Sequence, residues 1–148
     1  MEIKKIIIGG DHAAFEVKRK LIPYLKKKYK VEVEDKGTYS TDSVDYPDYA
    51  QAVAAGVSQE KDTYGILICG TGNGVCMTAN KHKGIRAGLV WEKEIAELIR
   101  QHNNANIICM PARFISYRKM TAILNAYFTT DFEGGRHQRR VDKMMSTC

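Results

Sequence analysis

The chain has 148 residues, a formal net charge of +6 and a pI near 9.1. A length close to ~150 residues predicts one domain, residues 1–148, with enough chain to bury a core. Hydrophobic residues make up 44% and charged residues 27%. This balance excludes an intrinsically disordered chain, and no apolar run reaches the ~20 residues of a membrane span. The apolar stretch near the N-terminus is too short for a signal peptide, so we expect a cytoplasmic protein without membrane contact.

Strands and helices alternate along the first half of the chain. Residues 3–8 are rich in isoleucine and predict a buried strand that ends at Gly9-Gly10. Apolar residues then recur at helical spacing from Ala14 to Leu25, although Pro23 should kink or split that helix. A short strand over 31–33, a polar loop over 35–45 and a helix beginning near Pro47 follow.

The second half continues the alternation around one glycine-rich loop. Residues 64–69 (YGILIC) have the clearest strand pattern, and the sequence GTGNG at 70–74 leads from them into a helix over 75–81. Further strands are predicted over 85–90 and 105–110, with helices over 92–102, over 116–128 and in the basic segment after Gly134-Gly135. Such alternation predicts a three-layer α/β/α, Rossmann-like domain whose five-stranded parallel sheet is covered on both faces.

The ends of the predicted strands collect the polar residues. Ligands of open α/β sheets bind outside the carboxyl ends of the strands. The first strand continues into Asp11-His12, the third into the glycine loop, and Arg113 follows the fifth. With His102-Asn103 at the end of the fourth helix, we expect all four groups to face one crevice.

The glycine loop is compatible with anion binding. Its backbone N–H groups can converge on an anion at a helix start. It lacks a dinucleotide fingerprint, because Val75 stands where a third glycine is needed, and no Walker lysine follows. An ordinary tight turn between strand and helix is an equal alternative.

Of the four cysteines, Cys69 has the position of a functional residue. It directly precedes the glycine loop and a helix start, where a thiolate is favoured and can act as nucleophile or base. Burial as a small hydrophobe is the alternative, and it is the expectation for Cys76, Cys109 and Cys148. No C-x-x-C pair occurs, which argues against a zinc site and against disulfides, so we expect no bound metal.

Two histidines are candidates for acid–base chemistry. His12 and His102 both lie at element ends in polar surroundings, where a histidine can exchange protons near neutral pH. A structural role is the commoner one for a single histidine. His82, between two lysines, looks like a surface residue, and His137, inside an arginine-rich segment, fits either role.

Residues 1–36 and 113–148 each have an excess of four positive charges, and while lysines at a helix end explain the first, the second can bind a ligand. Residues 113–148 carry 7 basic and 3 acidic side chains. Arg113, Arg136, Arg139 and Arg140 have no evident helix-end role, and arginine suits bidentate binding of phosphate or carboxylate. Nucleic-acid binding would call for a denser patch or for interleaved aromatic residues. A small anionic ligand is therefore favoured over nucleic acid.

Seven segments in chain order resemble one family, the sugar-phosphate isomerases of the ribose-5-phosphate isomerase B type. This family includes the galactose-6-phosphate and allose-6-phosphate isomerases. The matching segments span the chain from the first strand to the last helix. They are GGDHAAF at 9–15, DKGTYS at 35–40, DYPDYA at 45–50, ILICGTGNG at 66–74, ANKHKGIRA at 79–87, RQHNNAN at 100–106 and EGGRHQRRV at 133–141.

The resemblance implies a role for each candidate residue. Cys69 would be the base that moves a proton between C2 and C1, and His102 the acid that opens the furanose ring. The loop over 70–74, with Thr71 among the catalytic groups, would hold the enediolate. The sugar would contact Asp11, His12, Tyr46, Gly70, Gly72, Asn73, Gly74 and Asn103, and the phosphate would contact Arg113, Arg136 and Arg140.

The resemblance also implies an assembly and an absence of cofactors. Members form homodimers, and in some cases tetramers, with active sites built from both subunits, and they use no metal or organic cofactor. One branch has a glutamate at the position of Val75 and no cysteine at position 69. This chain has the cysteine and therefore matches the cysteine-base branch. Arg139 stands where many members have an uncharged residue, and we expect it to be exposed to solvent.

These observations lead to one main hypothesis and three alternatives. The main hypothesis is a cofactor-free isomerase that interconverts ribose 5-phosphate and ribulose 5-phosphate. The nearest alternative keeps the chemistry but acts on a six-carbon sugar phosphate, allose 6-phosphate or galactose 6-phosphate. A non-catalytic module that binds phosphate or a nucleotide is a remote alternative, and a nucleic-acid-binding protein is a more distant one.

Overall fold

Five strands form one sheet in this computed structural model, which describes residues 1–147. The strands are β1 (Lys5–Gly10), β2 (Glu32–Asp35), β3 (Thr63–Cys69), β4 (Ala87–Leu89) and β5 (Ile107–Pro111). Their order is β2-β1-β3-β5-β4, and every neighbouring pair is parallel. The predicted parallel five-stranded sheet is confirmed. The expectation for Cys148 lies outside the described residues.

Helices connect the strands at the places that the sequence pattern predicts. Within residues 1–147 they are α1 (Phe15–Tyr29), α2 (Tyr46–Gln59), α3 (Asn73–Ala79), α4 (Lys93–Gln101), α5 (Tyr117–Phe128) and α6 (Arg136–Met145). Ser116 begins α5 as predicted, because its side chain accepts a hydrogen bond from the N–H of Lys119 at 3.1 Å. The strand predicted over 85–90 is shorter, since the Arg86 N–H donates to the Asn106 side chain at 2.8 Å and not to a neighbouring strand.

The helix α1 runs unbroken through Pro23, so the expectation that this proline splits the helix is wrong. Pro23 is exposed, whereas Leu21 and Leu25 on the opposite side are fully buried. The carbonyl that loses its partner can be hydrated on the solvent side, and packing of the buried face offsets the lost hydrogen bond. With 15 residues, α1 is also the longest of the helices described. None of the helices in residues 1–147 is long and apolar enough to span a bilayer.

Two apolar layers cover the two faces of the sheet. Alternate residues of a strand point to opposite faces. On β3, Ile66 and Ile68 pack with α1 and α5, while Leu67 and Cys69 pack with α2 and α3. The result is the predicted three-layer α/β/α arrangement. It places the Cys69 side chain in the layer that contains α2 and α3.

The sheet has its topological switch point between β1 and β3. The chain moves from β1 outward to β2 and then returns to add β3 on the other side of β1. The loops that leave these two strands therefore diverge to opposite faces and open a crevice at the carboxyl edge. This crevice lies directly above Gly10 and Cys69, the last residues of β1 and β3.

Candidate active site

Register brings the ends of three strands to one level at the carboxyl edge of the sheet. Gly10 of β1 pairs with Ile68 of β3, and Cys69 pairs with Pro111 of β5. The residues that follow these strands consequently emerge side by side. We call them the carboxyl-edge group; its members are Asp11, His12, Tyr46, residues 69–74 and Arg113.

Cys69 is the last residue of β3 and lies under the glycine loop. Only 5% of its surface is exposed, and its Sγ accepts a hydrogen bond from the N–H of Gly72 at 3.1 Å. The loop thus folds back over the sulfur and fixes its position. A thiol held in this way at the floor of a crevice can exchange a proton with a ligand above it.

The glycines of the loop are required by close packing. Gly72 has a φ of +75°, a conformation that L side chains rarely adopt, and a Cβ there would lie 2.5 Å from Leu89 Cδ1. At Gly74 a Cβ would lie 2.5 Å from the Tyr46 ring. Tyr46 therefore packs directly on the loop, which confirms that these two expected site residues are neighbours.

Arg113 lies on the other side of the loop. A Cβ on Gly70 would be 3.3 Å from Arg113 Cδ, Nε and NH1, so the guanidinium passes over this glycine. The Arg113 backbone N–H donates to the Gly70 carbonyl at 3.1 Å. The predicted proximity of Arg113 and the glycine loop is confirmed within one chain.

Asp11 and His12 are held by short local hydrogen bonds. The Asp11 carboxylate is mostly buried and accepts from the N–H of Ala13 at 3.0 Å. His12 Nδ1 accepts from the N–H of Val44 at 3.3 Å. In the neutral ring the proton is then on Nε2, which becomes a donor for a ligand. Val44 escaped the sequence analysis because its contribution is a backbone N–H, which has no side-chain signature.

His102 and Asn103 do not join this crevice in one chain, and the expectation that all four groups face one crevice is wrong. His102 ends α4, which runs back along the sheet and precedes β5. It therefore lies at the amino edge. Cys69 is level with Pro111 at the far end of β5, and the strand rises about 13 Å between Ile107 and Pro111 at ~3.3 Å per residue.

The start of α6 lies beside His102. The rings of His102 and His137 are stacked, with centroids 4.3 Å apart and an angle of 15° between planes, and the Glu133 N–H donates to the Gln101 carbonyl at 3.1 Å. Partial desolvation, His102 and Arg136 lower the pKa of His137, while Glu133 opposes them. We call the amino-edge group His102, Asn103, Arg136, His137 and Arg140.

The charges of the amino-edge group favour an anion. Among residues 1–147 one cluster, His102, Glu133 and His137, has potential metal-ligand atoms within 4.8 Å of one another. The lone pairs of an imidazole lie in its ring plane, so two parallel stacked rings do not aim at a common ion. Arg136 and Arg140 lie in the first and second turns of α6, and both are exposed. Their positive charge repels a cation and attracts a phosphate.

The fold and these residues define a doubly wound α/β protein with a polar crevice at its switch point. Residues 6–144 match the model of the family described as Ribose/Galactose Isomerase. The chain belongs to this family.

Relatives of known name cover almost the whole chain. It is 44% identical over 141 residues to a probable ribose-5-phosphate isomerase B of Mycoplasma genitalium, covering 95% of this chain and 93% of that one. It is 43% identical over 140 residues to ribose-5-phosphate isomerase B of Escherichia coli, with the same coverage.

Solved structures agree with the fold. A ribose 5-phosphate isomerase from Thermotoga maritima superposes with a TM-score of 0.92 at 48% identity, covering 97% of this chain and 98% of that one. Ribose-5-phosphate isomerase B of Mycoplasma genitalium with bound ribulose-5-phosphate superposes with a TM-score of 0.94 at 43% identity, covering 99% and 97%.

Proposed function

We propose that this protein is an aldose–ketose isomerase that interconverts ribose 5-phosphate and ribulose 5-phosphate. The observation that carries the proposal is the bound ribulose-5-phosphate in a relative that is 43% identical over nearly the whole chain. The polar crevice with a cysteine at its floor supplies the chemistry that such a reaction needs. The following steps assign this chemistry to residues.

Cys69 is the base of the proposed reaction. In the open-chain aldose, the thiolate removes the proton from C2, and the electron pair of the C–H bond forms the C1–C2 double bond while O1 takes the negative charge. The same sulfur returns the proton to C1, and the hydroxyl proton passes from O2 to O1, which leaves the ketose. A base of suitable pKa contributes about 10²–10⁴-fold to such a step.

The glycine loop stabilises the charge that develops on oxygen. The Gly72 N–H is bonded to Cys69 Sγ and the Asn73 N–H to Thr71 Oγ1, so the donors left for a substrate are the other N–H groups of the loop and the exposed side chains of Thr71 and Asn73. Preorganised donors at such a position are worth about 2.7–4 kcal/mol each in the transition state. Asp11 and His12 border the space above Cys69 and, with Tyr46, orient the sugar hydroxyls.

His102 is the acid that opens the furanose ring, and it must come from a second subunit. One pentose cannot touch both Cys69 and the His102 of the same chain, because these residues lie at opposite edges of the sheet, about 13 Å apart along β5. In a twofold homodimer, each carboxyl-edge group can face the amino-edge group of the partner, and two complete sites result. Asn103 joins the site in the same way.

The phosphate is held by arginines of both groups. Arg113 approaches it from the carboxyl edge, and Arg136 and Arg140 approach it from the amino edge of the partner. At 100° per residue, residues 136 and 140 lie about 40° apart on α6, whereas residue 139 lies about 100° from residue 140 and about 160° from residue 137. The phosphate takes no part in bond-making, so its binding supplies orientation at a distant reacting centre.

Replacement of Arg136 by alanine should therefore weaken substrate binding and leave proton transfer largely intact. We expect KM for ribose 5-phosphate to rise about tenfold or more, with a smaller change in kcat, since a charged hydrogen bond to phosphate is worth about 1.5–3 kcal/mol. Steady-state kinetics measure both constants. Arg139→Ala is the matched control on the same helix, and an unchanged KM for Arg136→Ala would contradict the phosphate role.

The activity itself is tested by incubating the protein with ribose 5-phosphate and assaying for ketose. The name of the matched family includes galactose, so allose 6-phosphate and galactose 6-phosphate are assayed in parallel. Faster turnover of a six-carbon substrate would move the proposal to that sugar. Binding of the sugar phosphates without ketose formation would indicate the non-catalytic module.

A further inference from the structure

Lys18 is a buried lysine of α1 whose ammonium group makes two short hydrogen bonds. Only 1% of the residue is exposed. Its Nζ donates to Asp35 Oδ1 at 2.6 Å and to the Thr38 carbonyl at 2.7 Å, and it lies 5.6 Å from the centre of the Tyr39 ring. An ammonium group has three donors; two of them are bonded to a carboxylate and a carbonyl, and the Tyr39 ring adds a cation–π contact.

These contacts connect α1 to residues 35–38, which continue from β2 alongside the end of β1. Asp35 Oδ1 also accepts from the N–H of Gly37 at 2.9 Å. The N–H of Gly10 donates to the Gly37 carbonyl at 2.9 Å, and the N–H of Thr38 donates to the Gly10 carbonyl at 2.7 Å. Residues 35–38 therefore clamp the backbone immediately before Asp11.

The loop that follows residues 35–38 also contacts His12. It leads from Thr38 to Val44, whose N–H donates to His12 Nδ1 at 3.3 Å. One anchor at Lys18 thus constrains both the strand end that carries Asp11 and the loop that sets the proton position on His12. The Tyr39 hydroxyl closes the arrangement by donating to the Asp35 carbonyl at 2.9 Å.

The ammonium group of Lys18 acts through its polar contacts with Asp35 and Thr38. Burial lowers the pKa of Lys18, and the Asp35 carboxylate opposes this change. Burying a charge is unfavourable unless it is paired and hydrogen-bonded, and such pairs add specificity of conformation in several proteins. The conformation specified here is that of residues 35–44.

We propose that Lys18 is a positioning residue for the isomerase site, which acts through Asp35 and Thr38 to hold Asp11 and His12 in place for the sugar. This inference rests on the proposed function only for the role of Asp11 and His12 in substrate binding. The contacts themselves lie outside the crevice, and Lys18 is too buried to touch substrate.

The test replaces Lys18 by methionine, which keeps the length of the side chain and removes the charge. Lys20→Met, an exposed lysine on the same helix, is the matched control. We expect kcat/KM for ribose 5-phosphate to fall about 10–100-fold in Lys18→Met, since misplacement by about 1 Å can cost 10²-fold. Competitive inhibition by inorganic phosphate, which the arginines bind, should change less than about twofold.

A second variant keeps the test decisive if Lys18→Met does not fold. Asp35→Asn retains an acceptor for Gly37 but removes the charge that pairs with Lys18, and it should lower kcat/KM about tenfold. The double variant should be no worse than the more severe single one, because both changes break the same contact. Additive losses would overturn the proposed connection between Lys18 and Asp35.

Amide hydrogen exchange gives a readout that needs no substrate. Exchange at Gly10 and Thr38 should accelerate at least about tenfold in Lys18→Met, while the Asn106 amide at the opposite edge keeps its rate. Unchanged exchange at these two amides, or kinetics equal to those of Lys20→Met, would overturn the inference. If the wild-type protein produced no ketose, the proposed function would fail, and the exchange data alone would decide the positioning role.

Discussion

Replacement of Cys69 by alanine is expected to lower kcat for ribose 5-phosphate about 10³-fold or more, with the protein still folded. The loss is large because the base removes a proton from carbon, a step to which a positioned base contributes about 10²–10⁴-fold. Solvent exchange at C2, followed by NMR in deuterated water, should disappear together with turnover. The substrate phosphate should still bind, because none of the proposed phosphate contacts involves the sulfur.

The neighbouring thiols provide the control. Cys76 and Cys109 lie in the same apolar layer as Cys69. Burial and the Cys76 thiol raise the pKa of Cys109, which is inaccessible to solvent. A hydrogen bond with Cys109 lowers the pKa of Cys76. The Cys76 sulfur donates to the Ala87 carbonyl at 3.4 Å, and Ala87 pairs with Ile107 near the amino edge of the sheet.

Cys76→Ala should therefore retain activity within about threefold of the wild type, because its sulfur has no access to the reacting carbon. A Cys69→Ala protein with wild-type turnover would refute the assignment of the base. A Cys76→Ala protein as inactive as Cys69→Ala would show that the base has been assigned to the wrong thiol.

Mixing two inactive proteins is expected to restore activity. Cys69→Ala lacks the base and His102→Asn lacks the acid, but a dimer of one subunit of each kind contains one site with both groups intact. In a random equimolar mixture half of the dimers are mixed, so the recovered activity should be about a quarter of the wild-type value. Co-expression of differently tagged subunits, followed by a ketose assay, measures it.

The mixing experiment also has an outcome that would contradict the shared site. If Cys69 and His102 of one chain served the same site, every site in the mixture would lack one of them and no activity would return. Cys69→Ala mixed with the Cys69→Ala/His102→Asn double variant is the matched control, because none of its sites has a base. Recovery there would point to contamination by wild-type protein.

The local patterns of the sequence predicted the elements well. The alternation of apolar strands with helices of ordinary length required a parallel sheet, and the Ser116 cap and the loop after Cys69 lie where their residue types predicted. Element ends were less predictable. Arg86, for example, lies within the strand predicted over 85–90. Its N–H donates to the Asn106 side chain, a partner 20 residues away that no local pattern reveals.

Two further features depend on tertiary contacts of the same kind. Pro23 is compatible with an unbroken helix because Leu21 and Leu25 are fully buried on the opposite face. In the sequence, nothing distinguishes Lys18 from the exposed lysines of the same helix. In the structure it is buried against residues that lie 17 to 20 positions later in the chain. Propensity describes neighbours in the chain, whereas these outcomes depend on neighbours in space.

Residue types and their spacing were enough to predict a basic α/β chain, with a cysteine and a glycine loop after a central strand and arginines in its last third. These properties follow from composition, from periodicity and from residue types at short spacing. The edge of the sheet at which each candidate residue lies became clear from the fold. We expected His102 and Cys69 to face one crevice, but strand direction places them at opposite edges, since a helix after a parallel strand must return to the amino edge before the next strand begins. The arginines proposed to bind phosphate are divided in the same way, with Arg113 at one edge and Arg136 and Arg140 at the other, and because one small anion cannot reach both edges of one sheet, we expect a second copy of the chain.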